Sequence, residues 1–72
     1  MIDRVTKIIA NIFEIEQAEI TPERELVAYG IDSARLMDLV VAIEDDFDVE
    51  ISDEMMVQFA TANDIAKALE SM

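Results

Sequence analysis

Three stretches of this chain repeat apolar residues at intervals of three and four, the spacing that lines one face of a helix. Val5, Ile8, Ile9, Ile12 and Phe13 form the first stripe and predict a helix from about Ile2 to about Glu14. Leu36, Val40, Ile43 and Phe47 predict a second, from about Ser33 to about Phe47. Ile65, Ala68, Leu69 and Met72 form a third stripe, with Thr61 placed to cap it and Asp64 three residues on, in a capping-box-like arrangement. Between the first two helices lies a long segment, about Glu16 to Asp32. Thr21-Pro22-Glu23 reads there as a cap followed by Pro at a first helical position, which marks a short turn. Gly30, the only glycine, sits just before the second helix, where a tight bend or a close backbone approach needs it. Leu26, Val27, Tyr29 and Ile31 are apolar enough to pin the segment to the core. Beyond Phe47, Val49 and Ile51 alternate, but a lone strand has nothing to pair with, so residues 48–52 read as an extended connector. Ser52 or Asp53 then caps a short helix from about Asp53 to Phe59. The expected fold is all-α, a four-helix bundle of three main helices and one short one, in a single domain over residues 1–72.

Composition removes much chemistry. The chain has no cysteine and no histidine. The usual zinc and iron–sulfur ligand sets, a disulfide, a Cys nucleophile and a Ser–His pair are therefore all impossible. Seventeen acidic residues face five basic ones, a formal net charge of -12. That charge repels phosphate backbones and anionic lipid surfaces, so nucleic acid and membranes are not expected partners. It speeds encounter with proteins that carry basic patches, and it equally serves to keep a small protein soluble and monomeric. Acidic chains are often disordered, but 53% hydrophobic content with one Gly and one Pro argues for a packed fold. The longest fully apolar run, Leu39-Val40-Val41-Ala42-Ile43, is far short of a membrane span, and the N-terminus has no signal-like stretch. The chain is expected to be cytoplasmic.

Asp32-Ser33 precedes the second helical stripe. Asp and Ser are common helix caps, and capping alone explains such a pair. A serine at a helix N-terminus also sits beside unpaired backbone N–H groups and the positive end of the helix dipole, where an attached phosphodiester is favoured.

The surroundings of Ser33 resemble a known family. Gly30-Ile31-Asp32-Ser33, followed by Leu36, Val40 and Ile43-Glu44-Asp45-Asp46-Phe47-Asp48-Val49-Glu50-Ile51, is similar to the acyl carrier protein pattern. The likeness runs from about Val5 to about Leu69. It implies a four-helix bundle without catalytic activity of its own. It implies that a phosphopantetheinyl transferase moves 4'-phosphopantetheine from coenzyme A to Ser33, with Asp32 as the residue beside the attachment point. The arm's thiol would hold an acyl or aminoacyl group as a thioester, in fatty acid, polyketide or a related specialised biosynthesis. The protein would supply position and recognition, and the cofactor the reactive sulfur.

Ala34, Met37 and Val41 form a second stripe on the same helix. They are either a wider edge of the core or an apolar contact surface flanked by Asp38, Glu44 and Asp45. The resemblance favours the contact surface. Its partners would be acyl-loading and acyl-processing enzymes with basic docking patches, and Met37 suits a surface that meets several of them. Three positions depart from the family pattern. Ala34 stands where Leu usually follows the serine, Arg35 brings a positive charge where the family is normally acidic, and Tyr29 replaces a usual Leu. These departures make a specialised carrier at least as good a reading as the housekeeping carrier of fatty acid synthesis.

Three other readings compete with a carrier. Asp46, Asp48 and Glu50 alternate like an EF-hand loop, but Ile51 stands where Gly is needed and Val57 where a bidentate Glu is needed, so no metal site is expected. A catalytic carboxylate pair would need a pocket that so small a bundle scarcely offers. A non-catalytic acidic interaction module with Ser33 unmodified has the same fold and charge, and only modification of Ser33 separates it from a carrier. Met55, Met56, Val57 and Phe59 fall on the short helix, and at least two of the four are expected to pack on the core. The resemblance implies that this region and the second helix line a cleft that shelters an acyl chain, with Ile43, Met56 and Phe59 as the residues expected to feel it.

Overall fold

The computed structural model describes all of residues 1–72. The chain forms α1 (Ile2–Phe13), α2 (Ser33–Phe47), α3 (Asp53–Met56) and α4 (Ala62–Glu70), with 3-10 turns at Gln17–Glu19 and Leu26–Tyr29 between α1 and α2. No strand forms, and the only sheet-like pairing is an isolated antiparallel bridge between Glu25 and Thr61. The small all-α bundle expected from apolar spacing is what the chain adopts, three long helices and one short. Both α2 and α4 pack on α1.

α1 turns Val5, Ile9 and Ala10 inward, and it ends at Glu14, whose left-handed backbone (φ 58°) stops the helix one residue before its expected end. On α2 the innermost residues are Leu39, Val40 and Ile43. Leu36 and Phe47 share that face but are only half-buried. They lie in the first and last turns, where Leu36 borders a groove and Phe47 lies under the Arg4 guanidinium, 4.1 Å from the ring centre. Leu39, outside the four-three-four stripe, completes the inner face.

α4 also differs from the expected stripe. Ala62, Ile65, Ala66 and Leu69 are buried, whereas Met72 lies past the helix end and is exposed. Small residues at two of the four positions let α4 sit close to α1. Its N-terminus is capped as expected: the Asp64 amide donates to Thr61 Oγ1 (3.2 Å), and Asp64 Oδ2 accepts from the amides of Thr61 (3.0 Å) and Ala60 (3.1 Å). α3 starts on Ser52, whose hydroxyl accepts from the Met55 amide, but it ends at Met56 rather than Phe59. Tighter turn bonds follow, from Gln58 to the Met55 carbonyl and from Phe59 to that of Met56, and they swing Phe59 into the core while Val57 stays exposed. Met55 and Met56 are half-buried against the same core.

The long α1–α2 connection is fastened along its length. Gln17 Nε2 donates to the Asp3 carbonyl and to Thr6 Oγ1, the one buried polar side chain. The Arg24 amide closes the expected turn onto the Thr21 carbonyl. The Leu26 amide donates to the Ala60 carbonyl (2.8 Å), and the Asn63 amide to that of Pro22 (3.1 Å). Tyr29 is the hub: its hydroxyl accepts from the Thr21 amide (2.9 Å), its ring tilts against Phe13 at 5.9 Å, and Arg24 lies over it at 5.0 Å. Of the connector expected to be extended over residues 48–52, Asp48 is instead the left-handed cap that ends α2, and residues 49–52 follow with neither helix nor strand.

Candidate functional site

The geometry around Ser33 begins at Gly30. This residue ends the second 3-10 turn with φ 81°, and a Cβ placed on it would meet nothing within 4 Å. Of the two reasons a glycine was expected here, the bend holds and the close approach does not. The bend redirects the chain through Ile31 to Asp32, whose extended backbone starts α2.

Asp32 and Ser33 divide the two roles that the sequence left joined. Asp32 is the cap: its Oδ1 accepts from the Arg35 amide at 2.9 Å. Ser33 is the first residue of α2, exposed, and its hydroxyl takes part in no hydrogen bond of the protein. The amides of Ser33 and Ala34 also have no acceptor within the chain. A nucleophilic oxygen thus stands free beside the unpaired donors and the positive dipole end of a helix of 15 residues. The donor set suits a phosphodiester on Ser33 Oγ. A phosphopantetheine would be held by that one covalent bond, with the free amides able to face its phosphate.

Ala34, Met37 and Val41 run away from Ser33 along an exposed face of α2, Met37 at 48% and Val41 at 51% exposure. Asp38 and Asp45 are exposed beside them. Glu44 is different. It is half-buried, and its Oε2 accepts from the Ile51 amide at 2.8 Å, which ties the connector after α2 back onto the helix. Its carboxylate is engaged by the backbone, unlike those of its two neighbours.

An apolar groove of about 200 Å³ lies near the start of α2, lined by Leu26, Val27, Ile31, Leu36, Phe59 and Ala60 along with Glu25. Of the expected cleft residues only Phe59 lines it. Ile43 is fully buried beneath the core, and Met56 is not part of the wall. The groove forms instead between the α1–α2 connection and the turn after α3, because the Leu26–Ala60 backbone bond brings those two segments together. Val27, expected to help pin the connection to the core, is instead 70% exposed at the groove wall, and Val57, from the short-helix set, is 82% exposed. No group of His, Cys, Asp or Glu is arranged to hold a metal ion, and no helix is long and apolar enough to cross a membrane.

The family model described as "Phosphopantetheine attachment site" matches residues 3–69 of the chain.

Proposed function

The chain belongs to the phosphopantetheine-attachment family of carrier proteins, whose prosthetic group is a covalent 4'-phosphopantetheine, and from that premise we propose that Ser33 is the attachment residue and that the arm carries an acyl or aminoacyl group. The observation that supports this most is the division of labour at the start of α2. Asp32 satisfies the cap, so Ser33 Oγ is left exposed and unbonded. A capping serine would be turned onto its own backbone and withheld from a modifying enzyme.

When bound, the arm supplies a thiol that holds the carried group as a thioester. The chain's own residues present and recognise. The chain has no histidine or cysteine, and Asp32 spends one carboxylate oxygen on the cap, so the base that takes the Ser33 proton is assigned to the phosphopantetheinyl transferase. Ala34, Met37 and Val41 form the apolar centre of the proposed docking face, and Asp38 and Asp45 its charged rim. Rim acids mainly steer encounter with basic patches and set register. Glu44 belongs to this reading chiefly as the brace of the following connector. The carrier is proposed to work as a cytoplasmic monomer in fatty acid, polyketide or related specialised biosynthesis, serving acyl-loading and acyl-processing enzymes. The groove beside Leu36 supports a second element of the proposal, a resting place for a short apolar cargo.

Intact mass before and after incubation with coenzyme A and a broad-specificity phosphopantetheinyl transferase tests the assignment. One added phosphopantetheine is expected on the wild type and none on Ser33→Ala. No addition with several transferases would leave an acidic interaction module of the same fold. Acyl loading of the modified protein should then shift the resonances of Leu36 and Phe59, and unchanged resonances there would remove the groove from the proposal.

A further inference from the structure

Arg35 stands in the first turn of α2, where a cation opposes the dipole of its own helix. Its side chain leaves that helix. The guanidinium Nη1 donates to the carbonyl of Ile12 in the last turn of α1, and Nη2 lies 4.0 Å from Glu14. The last carbonyls of a helix have no partner within it, and a cation there is favoured by the dipole. Arg35 therefore acts on the end of a neighbouring helix.

The Ser33 turn is held to the core by the half-buried side chains of Ile31 and Leu36, and by polar contact only through Arg35. From Ile31 to Ala34 no backbone amide finds an acceptor in the chain, and the Asp32 cap is local to its own turn. The only hydrogen bond that joins residues 31–36 to another element is the one from Arg35 to Ile12. α2 in turn is fastened to the bundle mainly through α1. The backbone of Arg35 is gripped by Asp32 and its side chain by α1, so Arg35 adds a directional link from the cap of the Ser33 turn to the end of α1, beside the apolar packing of Ile31 and Leu36.

We infer that Arg35 is a positioning residue, which fixes the attitude of the Ser33 turn through the Ile12 carbonyl and so sets how the Ser33 hydroxyl is offered to the enzyme that modifies it. This rests on the assignment of Ser33 proposed above. The hydrogen bond to the carbonyl carries the effect, because the Glu14 carboxylate is long-range and 80% exposed.

The test uses Arg35→Met, which keeps the stem and loses the donors, Arg35→Lys, which keeps a charged donor, and Glu14→Gln. Amide hydrogen exchange is measured on the unmodified protein, and phosphopantetheine transfer is measured with kcat and KM separated. Arg35→Met should speed exchange at Leu36 and Met37 while Ile9 and Ile65 keep their protection. Misplacement of a reacting group lowers the rate of the step itself, so kcat should fall about tenfold with KM little changed. Arg35→Lys should restore most of both readouts, and Glu14→Gln should alter neither. A rise in KM alone with normal exchange would make Arg35 a docking contact and overturn the inference, as would unchanged exchange and kcat. If no transferase modifies the wild type, the Ser33 assignment fails, and the exchange data alone still decide whether Arg35 holds this turn.

Discussion

Gly30 and Asp48 both adopt left-handed backbone, at φ 81° and φ 55°, and only one of them is a glycine. At Gly30 an added Cβ has open space, so Gly30→Ala costs only the conformational term, about 1 kcal/mol, and leaves the core untouched. Asp48 bears the same backbone term, and it also places a negative charge at the C-terminal end of α2 beside Asp45 and Asp46. Asp48→Gly should therefore stabilise the protein by about 0.5–1 kcal/mol. Chemical denaturation of the two variants checks the pair of signs, and a destabilised Asp48→Gly would show that the Asp48 side chain makes a contribution the backbone argument omits.

Residues two apart in one helix can have opposite consequences, and α2 shows this at Met37 and Leu39. Leu39 is fully buried, and Leu39→Ala should cost about 2–5 kcal/mol, enough to unfold much of so small a domain. Met37 is 48% exposed, and Met37→Ala should change stability by no more than about 0.5 kcal/mol. Its effect should appear instead as weaker docking of partner enzymes. Thermal melts beside transfer kinetics separate the two, and a Met37→Ala protein as unstable as Leu39→Ala would return Met37 to the core edge. The helices were legible in the sequence because spacing is a local property: α2 runs over the residues its apolar stripe and Asp32 cap announce, and the Thr61–Asp64 box is in place. The short α3 was overextended, since nothing local says that Phe59 leaves the helix to reach the core. Ser33 was legible as a position, but its separation from the cap was not, because either side chain of Asp32-Ser33 is able to accept the same amide. The groove and the reach of Arg35 depend on segments far apart in the chain, and no short-range pattern encodes them.

The whole molecule is small compared with the range of its own charge. Its radius of gyration is 10.8 Å, and only five basic side chains oppose seventeen acidic ones, two of them in the ion pairs Arg4–Asp46 and Arg35–Glu14. At about 0.01 M salt the screening length is about 30 Å, so every acid repels every other across the fold, whereas at about 0.15 M it is about 8 Å and only neighbours interact. Added monovalent salt should thus raise the thermal midpoint, most steeply at the dilute end. A midpoint that falls as salt is added would mean that the two ion pairs outweigh the general repulsion. Arg4 and Arg35 share a pattern at this scale. Each lies in the first turn of one helix and donates to a carbonyl at the end of the other, Arg4 to Asp46 and Arg35 to Ile12, so the α1–α2 pair is laced at both ends.

The stitch between the α1–α2 connection and the start of α4 has a different character. Leu26 to Ala60 and Asn63 to Pro22 are bonds between main-chain atoms, and the Glu25–Thr61 bridge is of the same kind. Such a seam is indifferent to the letters written along it, proline and glycine apart. Glu23, Glu25 and Val27 can be respecified without rerouting the segment that walls the groove, whereas Arg24 also lies over the Tyr29 ring. The rim of the groove proposed to hold cargo is thus a surface that substitution alone can redraw, while the track beneath it stays where it is.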